Sequence, residues 1–351
     1  MPLLDWVTLK VPLEVFSGPD LATLDGLGDR IRRFDPATGE VAWETRAWDS
    51  IASDSHQVTY RVGGEALMIQ GSPARVLGDG DAVFGAGPSA ALDLVGCVDA
   101  MLDYLCPALR VARPPVEACK VIRVDVTQNL LLGDRDQVRV ALRALRDCEG
   151  GRYKVNNPDG DTVYWSKKSH LRSGKAYAKG PHLAYMMRKK DYHGRWYSGD
   201  EIGLAMALLR LELSLKAQWW REKRIGKAWY EVTAADLYGQ WQDYFERMMG
   251  EAEVTEMNIE ERVRAAAETD GQAKAAIGCW ALIKAYGWEK ARQMQAKRTW
   301  YRNLKVLRAA GLSDADVSAG NVVPFRRKVV EFQMVNSWEE LRRLTAMAKA
   351  A

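Results

Sequence analysis

The sequence predicts an α+β protein in which an antiparallel β-sheet is backed by helices, as in ferredoxin-like and RNA-recognition-type cores. Three observations indicate this class. Strand-like segments that alternate apolar with polar residues recur before Trp220. Segments with apolar residues at helical spacing lie between them. After Trp220 only helical patterns follow, so we predict an α+β domain over residues 1–230 and a helical domain over residues 231–351.

The first part of the chain predicts a strand and two hairpins. The strand is Trp6–Val15, with Asp5 at its start. One hairpin turns at Asp35–Gly39 and the other at Gly63–Gly64, because Asp, Pro and Gly favour tight turns. The glycine-rich residues 71–85 predict a loop, and they lack the Gly-Lys-Ser/Thr ending of a nucleotide-binding loop.

Helices and further strands then alternate up to Lys216. Apolar residues at helical spacing predict a helix over Ser89–Leu109 and a second one that begins at Asp134 or Asp136. The remaining predicted strands are Val121–Thr127, Thr162–Trp165, a segment through Ala176–Lys179, and Leu208–Lys216. Residues 189–199 are polar and rich in turn formers, so we predict a loop there.

The C-terminal part predicts a long helix and then a group of three. Ala234–Met249 carries a regular apolar stripe, and residues 251–269 predict a connector. Lys274–Tyr286, Trp288–Gln295 and Arg298–Ala310 follow in close succession. This spacing is compatible with a helix-turn-helix whose last helix reads DNA, and equally with a plain helical bundle.

Composition bounds the class of protein. The net charge is only +4, but basic residues far outnumber acidic ones between Arg152 and Lys190, as expected of a surface that binds a polyanion or of an ordinary solvated face. The five cysteines are scattered, so the sequence predicts a reducing compartment and neither a zinc nor a disulfide framework. No signal peptide or membrane span is predicted.

Tyr177, Lys179, Arg210 and Glu212 are the candidate catalytic group. If their two strands pair, all four side chains lie on one face of the sheet. A phenol is a poor nucleophile at neutral pH and needs a neighbouring cation or base. A tyrosine beside two cations and a carboxylate predicts attack on a phosphodiester. Taken singly, each residue is more typical of half-buried packing or a surface ion pair, and the prediction rests on their occurrence in adjacent segments.

Asp125 and Glu212 are the predicted ligands of a Mg²⁺ or Mn²⁺ ion, which offsets the charge of the attacked phosphate. Each follows an arginine by two residues, Arg123 and Arg210. Asp5 and His182 are weaker candidates. The four histidines include no His-apolar-His pair, so carboxylates must dominate any metal site.

The basic residues that we predict to bind DNA fall in two groups. One surrounds the tyrosine strand and the other lies on the last helix of the group of three. They are Lys167, Lys168, Arg172, Lys175 and Lys216 in the first group, and Arg298, Arg302 and Lys305 in the second.

These motifs together resemble the gene II replication initiator family of filamentous phages. The resemblance is carried by short motifs in a shared order along most of the chain. They are Asp5–Pro12, Ser72–Leu77, Val83–Gly85, Arg123–Asp125, Thr162–Trp165, Ala176–Lys179 with Leu183, Arg210–Glu212 with Lys216, Gly311–Leu312 and Asn321–Pro324. His182 stands where a relative can carry glutamate.

The resemblance implies a rolling-circle initiator that nicks the viral strand of double-stranded DNA and stays on the 5′ phosphate through Tyr177. It also implies magnesium, and later rejoining of the displaced strand. Tyr164 ranks second as the nucleophile. The expected partners are double-stranded origin DNA, single-stranded viral DNA, and a host replication helicase and polymerase, in the cytoplasm of a bacterial host. The alternative is a non-catalytic DNA-binding protein or replication repressor.

Overall fold

The main element of the computed structural model is one large antiparallel sheet. The structure describes residues 2–52, 57–146, 162–222, 225–249, 259–312, 317 and 334–350. The strands of these parts are β1 (Leu3–Pro12), β2 (Arg30–Phe34), β3 (Val41–Arg46), β4 (Asp49–Ala52), β5 (Gln57–Gly63), β6 (Ala66–Gly71), β7 (Lys120–Leu131), β8 (Thr162–Trp165), β9 (Arg172–Ala178), β10 (Leu208–Leu215) and β11 (Met334–Val335).

The strands of the main sheet lie in the order β4-β5-β6-β1-β7-β10-β9-β8, and every pairing is antiparallel. β1 pairs with β7 only as far as Leu3–Thr127, and β11 takes its place beside the end of β7. β2 and β3 form a separate two-stranded ribbon.

Helices cover one face of the main sheet. The helices of the described residues, not all of which lie on that face, are α1 (Gly18–Asp25), α2 (Gly87–Ala90), α3 (Leu94–Leu109), α4 (Arg135–Arg146), α5 (Lys179–Met187), α6 (Gly199–Ala205), α7 (Ala217–Arg221), α8 (Ala234–Met249), α9 (Ile259–Ala266), α10 (Asp270–Tyr286), α11 (Trp288–Gln293), α12 (Lys297–Ala309) and α13 (Trp338–Ala350). The apolar residues of α3, α4 and α8 share one hydrophobic core with the alternate, inward residues of β7, β9 and β10. The opposite face of these three strands is polar.

The C-terminal helices divide between three hydrophobic cores. Residues of α9 to α12 form a hydrophobic core of their own, with Trp288 and Trp300 in edge-to-face contact. α8 packs in the core of the main sheet, and α13 packs beside Phe84 and Tyr197. The domain boundary at residue 230 stays a prediction.

The predicted fold class is confirmed: an antiparallel sheet is backed by helices, and the C-terminal region is helical. β8 has the predicted bounds, but β7 runs four residues beyond the predicted end at Thr127. α5 and α6 lie where no helix was predicted. In the described ranges, no helix combines the length and the apolar content needed to cross a bilayer.

Candidate active site

Three neighbouring strands, β7, β10 and β9, bring the candidate residues onto one polar sheet face. The register pairs Arg210 of β10 with Tyr177 of β9, and Glu212 with Lys175. Residues that are directly opposite across an antiparallel pair point to the same side of the sheet. The predicted shared face of Tyr177, Arg210 and Glu212 is therefore present, and Lys175 joins it.

Tyr177 lies at the bottom of this face, and its side chain is 3% exposed. The ammonium group of Lys175 lies 4.0 Å from the centre of the phenol ring, and the His182 ring meets its edge at 4.9 Å. The guanidinium of Arg210, which lies opposite Tyr177 in the register, is the strongest source of positive charge acting on the phenol oxygen. The nucleophile predicted from the sequence is thus next to cations but covered.

Burial raises the pKa of Tyr177 well above its usual value of 10. Arg210 opposes this rise, whereas Glu212 and Asp5 add to it. In the covered state the phenol therefore keeps its proton. To attack phosphorus, the phenol must lose this proton, which requires a neighbouring cation or a base. Both kinds of group lie on the same sheet face.

Arg210 is fully buried and holds several parts of the site together. Its Nε donates to Asn129 Oδ1 at 2.8 Å, and Nη1 donates to Ala82 O at 3.0 Å. Its Nη2 donates to Val83 O. A buried guanidinium is stable only when its donors are paired, so these contacts fix its position beneath the tyrosine.

Asp5 supplies the carboxylate nearest to Arg210. The β1–β7 register shifts between Leu4 and Trp6, which leaves Asp5 as the extra residue of a bulge. Its Oδ2 lies 3.4 Å from Nη1 of Arg210. Bulges re-aim single side chains, and this one directs a carboxylate toward the buried arginine. Despite a rise due to burial, Arg210 and Lys179 hold the pKa of Asp5 below its usual value.

Lys179 does not lie on a strand, so that part of the prediction is wrong. β9 ends at Ala178, and Lys179 is the first residue of α5. Its Nζ nevertheless reaches the site and donates to Ala82 O at 2.8 Å, the oxygen that Arg210 also contacts. Burial and the neighbouring Arg210 hold the pKa of Lys179 well below its usual value.

Glu212 is buried and pairs with a half-buried lysine. Its Oε2 lies 3.6 Å from Nζ of Lys175, and its side chain is 10% exposed. Burial raises the pKa of Glu212 to about 7, and the repulsion of Asp125 and Asp5 adds to the rise, while Lys175 and Arg210 oppose it. A carboxyl that titrates near neutral pH can accept a proton from a substrate or a nucleophile.

Both carboxylate oxygens of Asp125 accept hydrogen bonds from one arginine. Arg123 donates to Oδ1 at 2.9 Å and to Oδ2 at 2.6 Å, in a two-pronged ion pair. The Asp125 side chain is 3% exposed and that of Arg123 is 44% exposed. The arginine thus shields from solvent the carboxylate that was predicted to bind metal.

The four predicted metal ligands do not converge. Asp5 faces Arg210, Asp125 faces Arg123, and Glu212 faces Lys175. His182 is the fourth, and its Nδ1 is buried without a hydrogen-bond partner in the described part of the chain. No cluster of three or more such side chains suited to a metal ion occurs among the described residues. As arranged, these side chains do not fit a magnesium site.

His182 is neutral in this environment. Burial and, to a smaller extent, the neighbouring Lys179, Lys175 and Arg210 together lower its pKa to about 3. It contacts the edge of the Tyr177 ring and supports the position of the phenol.

The site is covered by the 79–85 loop, residues Asp79 to Gly85, which the sequence predicted as a glycine-rich loop. Its carbonyl oxygens at Ala82 and Val83 accept hydrogen bonds from Arg210, Lys179 and Asn129. The loop is held from outside as well. Trp338 of α13 donates to Asp81 Oδ2 at 2.9 Å, and Tyr197 donates to Asp81 Oδ1 at 3.1 Å.

Around the site, the predicted DNA-binding residues differ in exposure. Lys167 and Lys168 are exposed in the β8–β9 connection. Arg172 is half-buried against Asp243, at 2.9 Å. Lys216 donates to Lys167 O and Ser169 O, at 3.0 and 2.9 Å, so it fastens this connection.

On α12 the predicted basic residues Arg298, Arg302 and Lys305 are all exposed, opposite the buried stripe that includes Trp300 and Leu304. The predicted succession of helices is present as α10, α11 and α12, with Gly287 at a φ of 79° between the first two. Contact of α12 with DNA stays a prediction.

Sequence reasoning missed two parts of the site. Asn129 continues the alternation of Arg123, Asp125 and Thr127, and a longer strand assignment would have found it. Lys175 was assigned to DNA binding only, although it precedes Tyr177 by two residues on the same strand face. The backbone oxygens of the 79–85 loop have no sequence signal, because any residue supplies them.

One protein-family model covers most of the chain. The family model described as "Replication-associated protein G2P N-terminal" matches residues 3–234. The chain belongs to this family. The match confirms the resemblance found in the sequence, and it includes every strand and helix that carries the tyrosine face. The search of curated proteins found no match.

Among solved structures, this member of the family is similar to one titled "Structure of Rolling Circle Replication Initiator Protein from Geobacillus stearothermophilus". The two chains are 11% identical, and the similarity covers 61% of this chain and 74% of the other. The TM-score is 0.26.

Proposed function

We propose that this replication-associated protein initiates rolling-circle replication by cutting one strand of a DNA duplex through a covalent tyrosine. The observation that carries the proposal is the surroundings of Tyr177, whose register partner is the buried Arg210 and whose ring centre lies 4.0 Å from the ammonium of Lys175. The family match supports a role in replication.

In the proposed step the Tyr177 oxygen attacks the phosphorus of a backbone phosphodiester. The new bond is a 5′ phosphotyrosine, and the bond that breaks frees a 3′ oxygen, which takes up a proton and becomes a hydroxyl. Rejoining is the reverse reaction, in which a 3′ hydroxyl attacks the phosphotyrosine. No external energy source is required, since one phosphodiester replaces another.

Glu212 is the proposed acceptor of the phenol proton. Its pKa of about 7 matches the neutral range in which a general base is most effective. Arg210 stabilises the phenolate, while Lys175 and Lys179 offset charge on the phosphate oxygens. Each role is assigned to a side chain on or beside the same sheet face.

The covered tyrosine requires an opening step before DNA can reach it. The carbonyl oxygens of Ala82 and Val83 occupy donors of Arg210 and Lys179 that a phosphate would need. We therefore propose that the 79–85 loop leaves when the scissile phosphate enters, and that phosphate oxygens replace the two carbonyl oxygens.

Magnesium or manganese dependence remains part of the proposal, with Asp125, Glu212, Asp5 and His182 as the predicted ligands. Because their carboxylates are paired with arginine and lysine, we assign no step to the metal. A crystal of the protein with DNA, soaked in manganese, tests the ligand set. Anomalous density among these four residues supports it, and density elsewhere or none contradicts it.

The proposed partners are double-stranded origin DNA and single-stranded viral DNA, followed by a host replication helicase and polymerase that use the freed 3′ hydroxyl. The proposed location is the cytoplasm of a bacterial host.

The second candidate function is a non-catalytic DNA-binding protein or repressor. The 3% exposure of Tyr177 and the ion-paired carboxylates favour it, because a structural tyrosine needs no access to substrate. In that case the exposed lysines and arginines would bind DNA, and no bond would be cut.

A denaturing gel distinguishes the two functions. Supercoiled phage replicative DNA is incubated with the protein and magnesium, and the products are separated after denaturation. We expect nicked DNA with protein attached, and we expect Tyr177→Phe to abolish the adduct while Tyr164→Phe retains it. A shift in native gels without any nicking supports the binding protein instead.

A further inference from the structure

The β2–β3 ribbon, called here the arm, is residues 30–46 and stands apart from the main sheet. Every residue from Arg30 to Glu44 is exposed. A single two-stranded hairpin is only marginally stable in water, so one that projects without cover is unusual unless it makes contacts elsewhere.

Large apolar side chains are concentrated on the arm. Ile31 is 46% exposed, Phe34 55%, Val41 47% and Trp43 47%. These four lie within a few residues of one another on two short paired strands. Exposed apolar side chains in one cluster mark a contact surface, since isolated ones are common but groups are not.

The arm carries four arginines and three carboxylates, Asp35, Glu40 and Glu44, and part of this charge is paired within it. Glu44 is held between Arg30 and Arg32, and the Asp35 carboxylate accepts hydrogen bonds from backbone amides of the turn. Arg33 has no ion-pair partner in the described part of the chain. A partner that contacts Arg33 must therefore accept a cation.

The register places the unpaired arginine among apolar side chains. Arg33 lies opposite Trp43, and Ile31 lies opposite Thr45, so all four share one face. A guanidinium beside an indole and an aliphatic chain suits contact with the edges of bases and with the thymine methyl group.

The base of the arm is fixed to the body of the protein. Nη1 of Arg46 donates to the backbone oxygens of Asp25 and Leu27, at 2.8 and 2.7 Å, and its Nη2 pairs with the Asp25 carboxylate. Ala47 N donates to Asp29 O at 2.8 Å. These contacts hold the arm at a set angle, which a directed contact requires.

We propose that the arm enters the major groove of a DNA duplex and holds the duplex at a distance from the cutting site. The major groove admits a two-stranded ribbon, and the free cation and apolar face match what the groove presents. This proposal rests on the proposed function in one respect: it assumes that the protein binds DNA. It does not require that the protein cuts DNA.

The sheet order sets how far the arm lies from the tyrosine. Six strand spacings of about 4.8 Å separate β4, next to the arm, from β9, which carries Tyr177, so the two lie on the order of 30 Å apart. At 3.4 Å per base pair this is about nine base pairs of duplex. The arm therefore contacts DNA outside the segment that is cut.

The test measures binding of the full-length protein to a fluorescent mixed-sequence duplex of about 30 base pairs and to the single strand of equal length. The arm variant carries Arg33→Gln and Trp43→Ala. The matched control carries Lys120→Gln and Leu21→Ala, which also removes one cation and one exposed apolar side chain. Circular dichroism and thermal melting verify that both variants are folded.

We expect the arm variant to bind the duplex about tenfold more weakly than the wild type, and the control to bind within about twofold. Binding of the single strand should be unchanged in both. Equal losses for single strand and duplex, an unchanged duplex affinity, or a change in oligomeric state confined to the arm variant each overturn the proposal.

The outcome is separable from the proposed function. If the wild type forms no covalent adduct but the arm variant still loses duplex affinity, the cutting activity is wrong and the arm contact stands. If the wild type forms the adduct and the arm variant binds the duplex normally, the arm contact is wrong and the cutting activity stands.

Discussion

At the scale of single residues, the surroundings of the Tyr177 hydroxyl separate this residue from other tyrosines of the sheet. Tyr164 lies opposite Lys175 on the same face and is half-buried, with Lys167 at 4.7 Å from its ring. Of the two phenols, that of Tyr177 lies beside the buried guanidinium of Arg210, which is its register partner on β10. A guanidinium beside the phenol stabilises the charge that develops in attack, and this position ranks Tyr177 first.

Glu212 gives a prediction about pH. As a base it must be deprotonated, and its pKa is about 7, so the rate of nicking should rise as the pH passes upward through about 7. Glu212→Gln removes the base and should lower the rate by about 100-fold or more, without that rise. The measurement is the initial rate of adduct formation between pH 5.5 and pH 9, values chosen to span about two units on either side.

The control for this experiment is duplex affinity, which should be equal in the two proteins at each pH. A wild-type rate that is flat across neutral pH, or a Glu212→Gln protein with the wild-type rate, contradicts the role of Glu212 as the base.

The sequence predicts those features of the site that depend on residues close together in the chain, and not those that depend on distant segments. Alternation along β9 and β10 predicted that Tyr177, Arg210 and Glu212 share a face, because strand geometry alone decides it. The burial of Tyr177 could not be predicted, since it depends on the 79–85 loop, which is far away in sequence. For the same reason the pairing of each carboxylate with its own cation was missed.

At the scale of elements, the junction between β9 and α5 decides where Lys179 lies. Gly180 follows it, and a Cβ atom at this position would lie 2.6 Å from Met206 N and 2.7 Å from Met206 Cα. Real Cβ atoms do not approach a backbone so closely. Only glycine therefore lets α5 begin directly after the strand and turn Lys179 into the site.

Gly180→Ala should therefore displace α5 and destabilise the fold by about 1–3 kcal/mol, as overpacking of a tight contact does. The matched control is Gly203→Ala in α6, where a Cβ atom meets nothing within 4 Å and alanine is the better helix former. Urea unfolding monitored by circular dichroism compares the free energies of unfolding. Equal stability of the two variants would contradict the close contact.

The same junction explains why part of the element prediction failed. Apolar alternation continued through Lys179, and the strand was extended over the start of α5. α6 could have been found, because Ser198 and Glu201 form a capping box whose sequence pattern marks the start of a helix. β7 was predicted too short, since its last residues are buried on both faces and no longer alternate.

At the scale of the whole molecule, the exposed cations that we predict to bind DNA near the site and through a helix lie in the β8–β9 connection and on α12. The net charge of +4 is small, so binding to DNA must depend on these local groups. If α12 contacts phosphates, each contact releases counterions and steepens the dependence of affinity on salt.

Changing Arg298, Arg302 and Lys305 to Gln should reduce the slope of log affinity against log salt by about 2–3. Changing Lys10, Arg110 and Lys120 to Gln, which are also exposed, should leave the slope unaltered. The measurement is duplex binding at a series of salt concentrations. Identical slopes for the two triple variants would exclude α12 from the DNA interface.

The C-terminal helix α13 also holds the 79–85 loop, which covers the site. Trp338 of α13 hydrogen-bonds Asp81 and contacts the rings of Phe84 and Tyr197. The sequence could not predict this return of the chain to the sheet, because it depends on contacts between segments more than 200 residues apart, such as Trp338 and Asp81. It makes the C-terminal helix part of the structure that keeps Tyr177 covered.

The most direct test of the central claim is to locate the covalent bond to DNA. The adduct is formed on duplex DNA, digested with nuclease and trypsin, and the modified peptide is identified by mass spectrometry. Trypsin cuts after Lys175 and Lys179, so Tyr177 falls in a peptide of its own, separate from the one that contains Tyr164. We predict a phosphonucleotide on the peptide Ala176–Lys179; the modification on the Tyr164 peptide, or no modified peptide at all, would contradict the account.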